Sequence, residues 1–128
     1  MNSRGYVSSR SINGNRVAQH IQNLVIRDYC NNHGMHYLLS ATEYVMKDCY
    51  MVLDEQSRIT NQLDAIVLFS MFQLPSDLMR RNEIIIKFID NNTDIHFAVE
   101  RTSVKSKEEI SKLNDIFLVE NISQAASL

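Results

Sequence analysis

The stretch from Leu63 to Ser76, L-D-A-I-V-L-F-S-M-F-Q-L-P-S, constrains this chain more than any other. An acidic residue leads into a short apolar run, the run ends at Ser70, and a loop closes with Pro75. A strand that is apolar on both faces must be buried on both, which is the pattern of an inner strand of a parallel sheet. Open α/β folds gather their binding groups at the carboxyl ends of such strands, so the same stretch also places a candidate site.

The remainder keeps an alternating β-α rhythm. A strand around Gly5–Ser8 runs into the polar loop S-S-R-S-I-N-G-N-R. A helix from about Arg16 to His33 follows, with Val17, Ile21, Leu24, Val25 and Tyr29 as its apolar stripe and Gly34 as its stop. H-Y-L-L-S reads as a second strand ending near Ser40, and a weakly patterned helix covers about Cys49 to Gln62 with Val52, Leu53 and Ile59 inward. Ala65–Ser70 is the third strand. Ser76 caps a third helix that turns Leu78, Ile85, Phe88 and Ile89 to the core. I-H-F-A-V-E is the fourth strand, and Ser106 with Glu109 forms a capping box for the last helix. The expectation is one α/β domain over residues 1–128, a three-layer sandwich on a roughly four-stranded parallel sheet. Beyond about Asn121 the tail is expected to fray.

Composition narrows the function. At 128 residues and 45% hydrophobic content, the chain can bury a core without disulfides or metal. Thirteen basic and fifteen acidic side chains leave a net charge of −2, which opposes nucleic acid as the main partner. Cys30 and Cys49 have no metal-ligand spacing and read as free thiols of a reducing cytoplasm. His20, His33, His36 and His96 share no ligand spacing either, so neither metal nor cofactor is expected. No run approaches the roughly 20 apolar residues of a membrane span, and a cytoplasmic protein with no membrane partner is expected.

The candidate site is the set of loops at the sheet's carboxyl edge. The first offers Ser8, Ser9 and Ser11, the amides of Asn13 and Asn15, and the cations Arg10 and Arg16, just ahead of a helix. Backbone N–H groups, a helix dipole and guanidinium forks together suit an anion. No acidic residue precedes Asp28, whereas Arg4, Arg10, Arg16 and Arg27 all do. Glu43 and Tyr44 follow the second strand, Ser70 and Gln73 the third, and Glu100 and Arg101 the fourth. Glu43 and Glu100 are therefore the candidate acid–base pair. Ser8, Ser9, Arg10, Ser11, Arg16, Tyr44, Ser70 and Gln73 are the candidate ligand-binding set. The loop has neither G-x-G-x-x-G nor G-x-x-x-x-G-K-[ST], so no dinucleotide or P-loop site is indicated.

Two resemblances can be stated on these residues. R-G-Y-V-S-S, Q-N-L-V-I-R-D-Y-C-N-N-H-G and L-D-A-I-V-L-F-S-M-F-Q-L-P-S resemble the first strand, following helix and third-strand motif of the serine recombinase (resolvase) catalytic domain. The likeness implies a resolvase-like fold. It also implies that the family's Asp falls on Phe72, its arginines on Gln73 and Ser76, and its nucleophile on Arg10, beside Ser8, Ser9 and Ser11. Without those arginines a phosphodiester has no clamp. R-G-Y-V-S-S-R, R-V-A-Q-H-I-Q-N-L-V-I-R-D-Y-C, Y-L-L-S-A-T-E-Y, F-S-M-F-Q-L-P and H-F-A-V-E resemble a bacterial family called sporadic carbohydrate cluster proteins. That likeness implies work in surface-polysaccharide or unusual-sugar biosynthesis.

The leading expectation is a protein that binds an anionic sugar or nucleotide-sugar intermediate at the carboxyl edge, with acid–base chemistry left open. One alternative is a non-catalytic scaffold or regulator docking to a pathway enzyme. Another is a DNA recombinase domain lacking the usual arginines. The last helix carries Ile110, Leu113, Ile116, Phe117, Leu118, Val119 and Ile122, more than one face can bury, so a homodimer is expected as well.

Overall fold

A computed structural model describes residues 1–44, 49–58 and 63–126. The inner strand comes first in the logic of the fold. β3 (Ala65–Leu68) buries all four of its residues, flanked by β1 (Asn2–Ser8) on one side and β4 (Asp94–Phe97) on the other. β2 (His36–Glu43) lies outside β1, and the order β2-β1-β3-β4 is parallel throughout. A fifth strand, β5 (Thr102–Val104), adds to β4 in the antiparallel sense. The four expected parallel strands are present; the short antiparallel edge was not foreseen.

Side chains alternate through the sheet and split the core in two. Tyr6, Ile66, Leu68, Ile95 and Phe97 pack under α2 (Met51–Ser57), α3 (Leu78–Asp90) and α4 (Ile110–Ala126). Val7, Ala65, Val67 and Ala98 pack under α1 (Gln19–Asn32) with Ile26, Tyr29 and Cys30. This is the expected three-layer α/β arrangement.

Several boundaries and faces differ from the sequence reading. α1 starts at Gln19, and its buried face is Gln22, Ile26, Tyr29 and Cys30. Ile21 and Leu24, placed on the apolar stripe, are 41% and 57% exposed. The helix is rotated because the Gln22 amide is satisfied inside, so a polar residue heads the buried face. Asp77, not Ser76, caps α3: its Oδ2 accepts the Arg80 N–H at 3.0 Å. Glu109 does not close a capping box on Ser106; it accepts the Lys105 N–H at 3.1 Å, and α4 begins one turn later. The tail beyond Asn121, expected to fray, is helical to Ala126. The expected course of the second helix over Ile59–Gln62 lies outside the described residues.

The β1–β2 pairing slips once, between Arg4↔Leu38 and Tyr6↔Ala41, so β2 holds one extra residue opposite Gly5. Ser40 Oγ sits over that glycine, fixed by Tyr37 Oη and Asn23 Oδ1, each at 2.6 Å. A β-carbon at position 5 would fall on this hydroxyl and press on Ile26, which is why glycine stands there.

Candidate functional site

The carboxyl edge brings together Ser8, Arg10, Glu43, Ser70, Gln73 and Glu100, as the topology of a parallel sheet requires. Their polar atoms, however, are directed at one another and at the backbone. Glu43 ends β2 and is 3% exposed. One carboxylate oxygen accepts from Tyr6 Oη at 2.6 Å and from the Leu53 N–H at 3.4 Å. The other accepts from the Val52 N–H at 2.8 Å and Cys49 Sγ at 3.6 Å. Tyr50, which precedes α2, gives no side-chain cap, so Glu43 supplies from another strand the acceptor that the first turn lacks.

Arg10 crosses the same floor. Its Nη1 donates to the Cys49 carbonyl at 3.1 Å and lies 3.8 Å from Glu43. Its Nη2 donates to the Gln73 carbonyl at 2.6 Å and to Tyr6 Oη at 2.9 Å. The guanidinium also stacks over Tyr50, 4.2 Å from the ring centre. Only 11% of the side chain is exposed, so the cation is neutralised by Glu43 and held by carbonyls. Burial pushes the Tyr6 hydroxyl well above its ordinary pKa, against the nearby Arg10 charge, and Tyr6 stays a neutral donor.

A second group joins β1 to the loop after β3. Gln73 Nε2 donates to Ser8 Oγ and to Gln22 Oε1, both at 3.0 Å, while its Oε1 accepts the Ser70 N–H at 3.2 Å. Gln22 Oε1 also accepts the Ser8 N–H at 3.1 Å, and its Nε2 donates to the carbonyls of Ser8 and Val17. Glu100 accepts from Ser70 Oγ at 2.7 Å and the Met71 N–H at 2.8 Å, closing the single 3-10 turn Met71–Gln73. Ser70 and Gln73 themselves form a capping box around that turn. Both candidate acid–base carboxylates thus serve as backbone caps.

The outer rim is different. The first loop folds back through Asn13 and Gly14, both at positive φ, with Ile12 and Asn15 exchanging backbone hydrogen bonds at 2.7 and 3.0 Å. An Asn-Gly pair between bridging residues is a type I′ turn signal, and it takes Asn15 away from the helix start. Ser11 and Arg16 on this loop are exposed, as is Tyr44 at 71%. Ser9 is half-buried, and its N–H extends the ladder to the Glu43 carbonyl at 3.2 Å. Among the described residues no cluster of His, Cys, Asp and Glu could hold a metal. No helix is long and apolar enough to cross a membrane, again among the described residues.

Sequence reasoning missed Tyr6, Gln22 and Tyr50, the residues that aim the others. Tyr6 alternates with Gly5 and Val7 on an apolar strand and reads as core; only its position one turn of loop before Arg10 hinted at more.

The element order, the sheet and this edge define an α/β protein of resolvase-like fold. No family model matches the chain, and no curated protein matches it. Among solved structures it is similar to a resolvase-family site-specific recombinase from Streptococcus pneumoniae. The TM-score is 0.72 at 10% identity, over 99% of this chain and 92% of that one. It is also similar to the N-terminal catalytic domain of TP901-1 integrase, with TM-score 0.64 at 10% identity, over 98% of this chain and 99% of that one. The shared property is the fold. At the positions where the resemblance puts recombinase catalytic residues, Phe72 packs on Phe117 with ring centres 5.1 Å apart, Gln73 is locked as above, and Ser76 is exposed.

Proposed function

We propose that this chain is a cytoplasmic binding protein for an anionic sugar or nucleotide-sugar intermediate of surface-polysaccharide or unusual-sugar biosynthesis, which it holds without transforming. The pathway rests on the resemblance of its strand-edge motifs to sporadic carbohydrate cluster proteins. The observation that carries the binding-only reading is the engagement of Glu43 and Glu100 as acceptors for backbone amides. A carboxylate that caps a turn cannot take a proton from substrate without loosening that turn. In this reading Ser8, Ser9, Arg10, Ser70 and Gln73 shape the edge, and Ser11, Arg16 and Tyr44 meet the ligand. A thermal-shift screen against nucleotide sugars and sugar phosphates tests it. Ligand at about 100 times its dissociation constant adds about 2.7 kcal/mol, a shift that Arg16→Ala should remove. No shift with any of these compounds overturns the reading.

A second reading, a scaffold that dimerises or docks to a pathway enzyme, is favoured by α4. Leu113 and Phe117 are buried there, whereas Leu118, Val119 and Ile122 are all more than half exposed. Sedimentation should show a dimer that Leu118→Glu converts to monomer; a wild-type monomer that captures no pathway enzyme removes this reading.

A further inference from the structure

α1 covers one face of the sheet by itself, and it leaves a groove beside β4. The groove encloses about 340 Å³ between the C-terminal half of α1 and the turn at residues 98–101. Volumes of a few hundred Å³ suit a small molecule. Val25, Ala98 and Val99 give it an apolar wall, and Asp28, His33 and Arg101 give it charge and hydrogen-bonding capacity.

Two of these groups have opposite charge and do not pair. Arg101 is exposed and has no hydrogen bond or ion pair among the described residues. Asp28 accepts one long hydrogen bond, from Asn32 at 3.3 Å, and meets no cation within ion-pair distance among the described residues. Arg101 also sits at φ 53, a left-handed conformation uncommon for a residue with a β-carbon. That backbone conformation turns the chain at the end of β4, where residues 98, 99 and 101 line the groove. Behind the wall, Tyr29 stacks on His33 with ring centres 3.9 Å apart and bonds His96 Nδ1 at 2.7 Å, which makes that side of the groove rigid.

We propose that this groove is a binding site for a zwitterionic small molecule with an aliphatic side chain, an α-amino acid being the simplest case. Arg101 would take the carboxylate through its two-pronged fork, Asp28 the ammonium, and Val25, Ala98 and Val99 the aliphatic part. A cation and a carboxylate that line one groove with apolar side chains match a dipole better than either a simple anion or a simple amine. Neither Arg16 nor Tyr44 lines this groove, so the proposal stands whether or not the edge binds a sugar.

The test is a heteronuclear NMR titration of the whole chain with leucine, 4-methylpentanoate and isoamylamine. Leucine should saturate shifts at Asp28, Val99 and Arg101, and the two half-ligands should bind at least about tenfold more weakly. Arg101→Ala and Asp28→Asn, both at exposed positions, should each weaken leucine by about tenfold or more while the melting temperature holds. Equal binding of 4-methylpentanoate and leucine overturns the dipolar class. Unsaturable or scattered shifts with leucine, or an Arg101→Ala variant that binds it as well as wild type, overturn the site.

Discussion

Tyr6 donates to Glu43 across 2.6 Å at the floor of the carboxyl edge, and the same hydroxyl accepts from Arg10 at 2.9 Å. One phenol therefore links the carboxylate that caps α2 to the cation that ties the first loop to the loop after β3. Each partner is buried, so removing one leaves the others without compensation.

Tyr6→Phe removes the link and nothing else of its shape. Glu43 loses its shortest bond and Arg10 one acceptor, at about 2 kcal/mol of stability. Urea unfolding followed by circular dichroism reads this directly; an unchanged midpoint would show that the linkage carries no weight.

Arg10→Ala separates a structural cation from a ligand-binding one. A rim arginine can be truncated with little effect on folding. Arg10 instead leaves a buried Glu43 charge and two carbonyls unpaired, and about 3 kcal/mol should be lost. Arg16→Ala, on the exposed rim, should change stability by less than about 0.5 kcal/mol.

The Tyr29–His96 pair suits a double-mutant cycle. His96 is buried, its Nδ1 is bonded to Tyr29, and its Nε2 has no partner among the described residues. Either tautomer leaves that nitrogen unsatisfied. Tyr29→Phe should destabilise by about 1–3 kcal/mol, because both ring nitrogens are then unpaired. Tyr29→Phe with His96→Leu should recover most of the loss, since an apolar pair replaces a half-satisfied polar one.

The same histidine sets a pH dependence. Burial pushes His96 from 6.5 down to about 4, with the charges of Lys105 and His33 acting in the same direction. Between those values the unfolded chain binds the extra proton. Stability from this group is complete above its unfolded pKa and falls as pH drops towards about 4, by about 2–3 kcal/mol. Denaturation midpoints taken across that range should show the slope, and His96→Leu should flatten it.

Gly5→Ala tests the register slip of β1 against β2. The new methyl must displace Ser40 Oγ from its bonds with Tyr37 and Asn23, at about 1–3 kcal/mol. Gly5→Ala combined with Ser40→Ala should recover part of that loss; if it does not, the contact with Ile26 is the limiting one.

The inner strand was legible because five consecutive apolar residues between Asp64 and Ser70 admit few other environments. The strand ends were legible for the same reason, which is why Glu43, Ser70, Gln73 and Glu100 do meet at one edge. Their aim was not legible. Hydropathy assigns Gln22 to water, yet its amide is matched by the backbone of Ser8 and turns inward, rotating α1 with it. β5 is three residues long and exists through its pairing with β4, a tertiary fact with no local signature. Arg10 reads as a rim cation from its loop, and only the positions of Tyr6 and Tyr50 decide otherwise.

The locked edge also bears on how the chain folds. Ser8 and Gln73 are 65 positions apart, Arg10 and Gln73 63, and Tyr6 and Glu43 37. Closing loops of that length is entropically unfavourable until neighbouring strands are in place. These bonds are expected to form after β1 has docked between β2 and β3, and a chain misaligned at the Gly5 slip would arrive with Tyr6 facing the wrong strand position. The edge that open α/β sheets offer to ligands is here tied shut by bonds between residues far apart in the chain, and those bonds can be made only when the strands are in register.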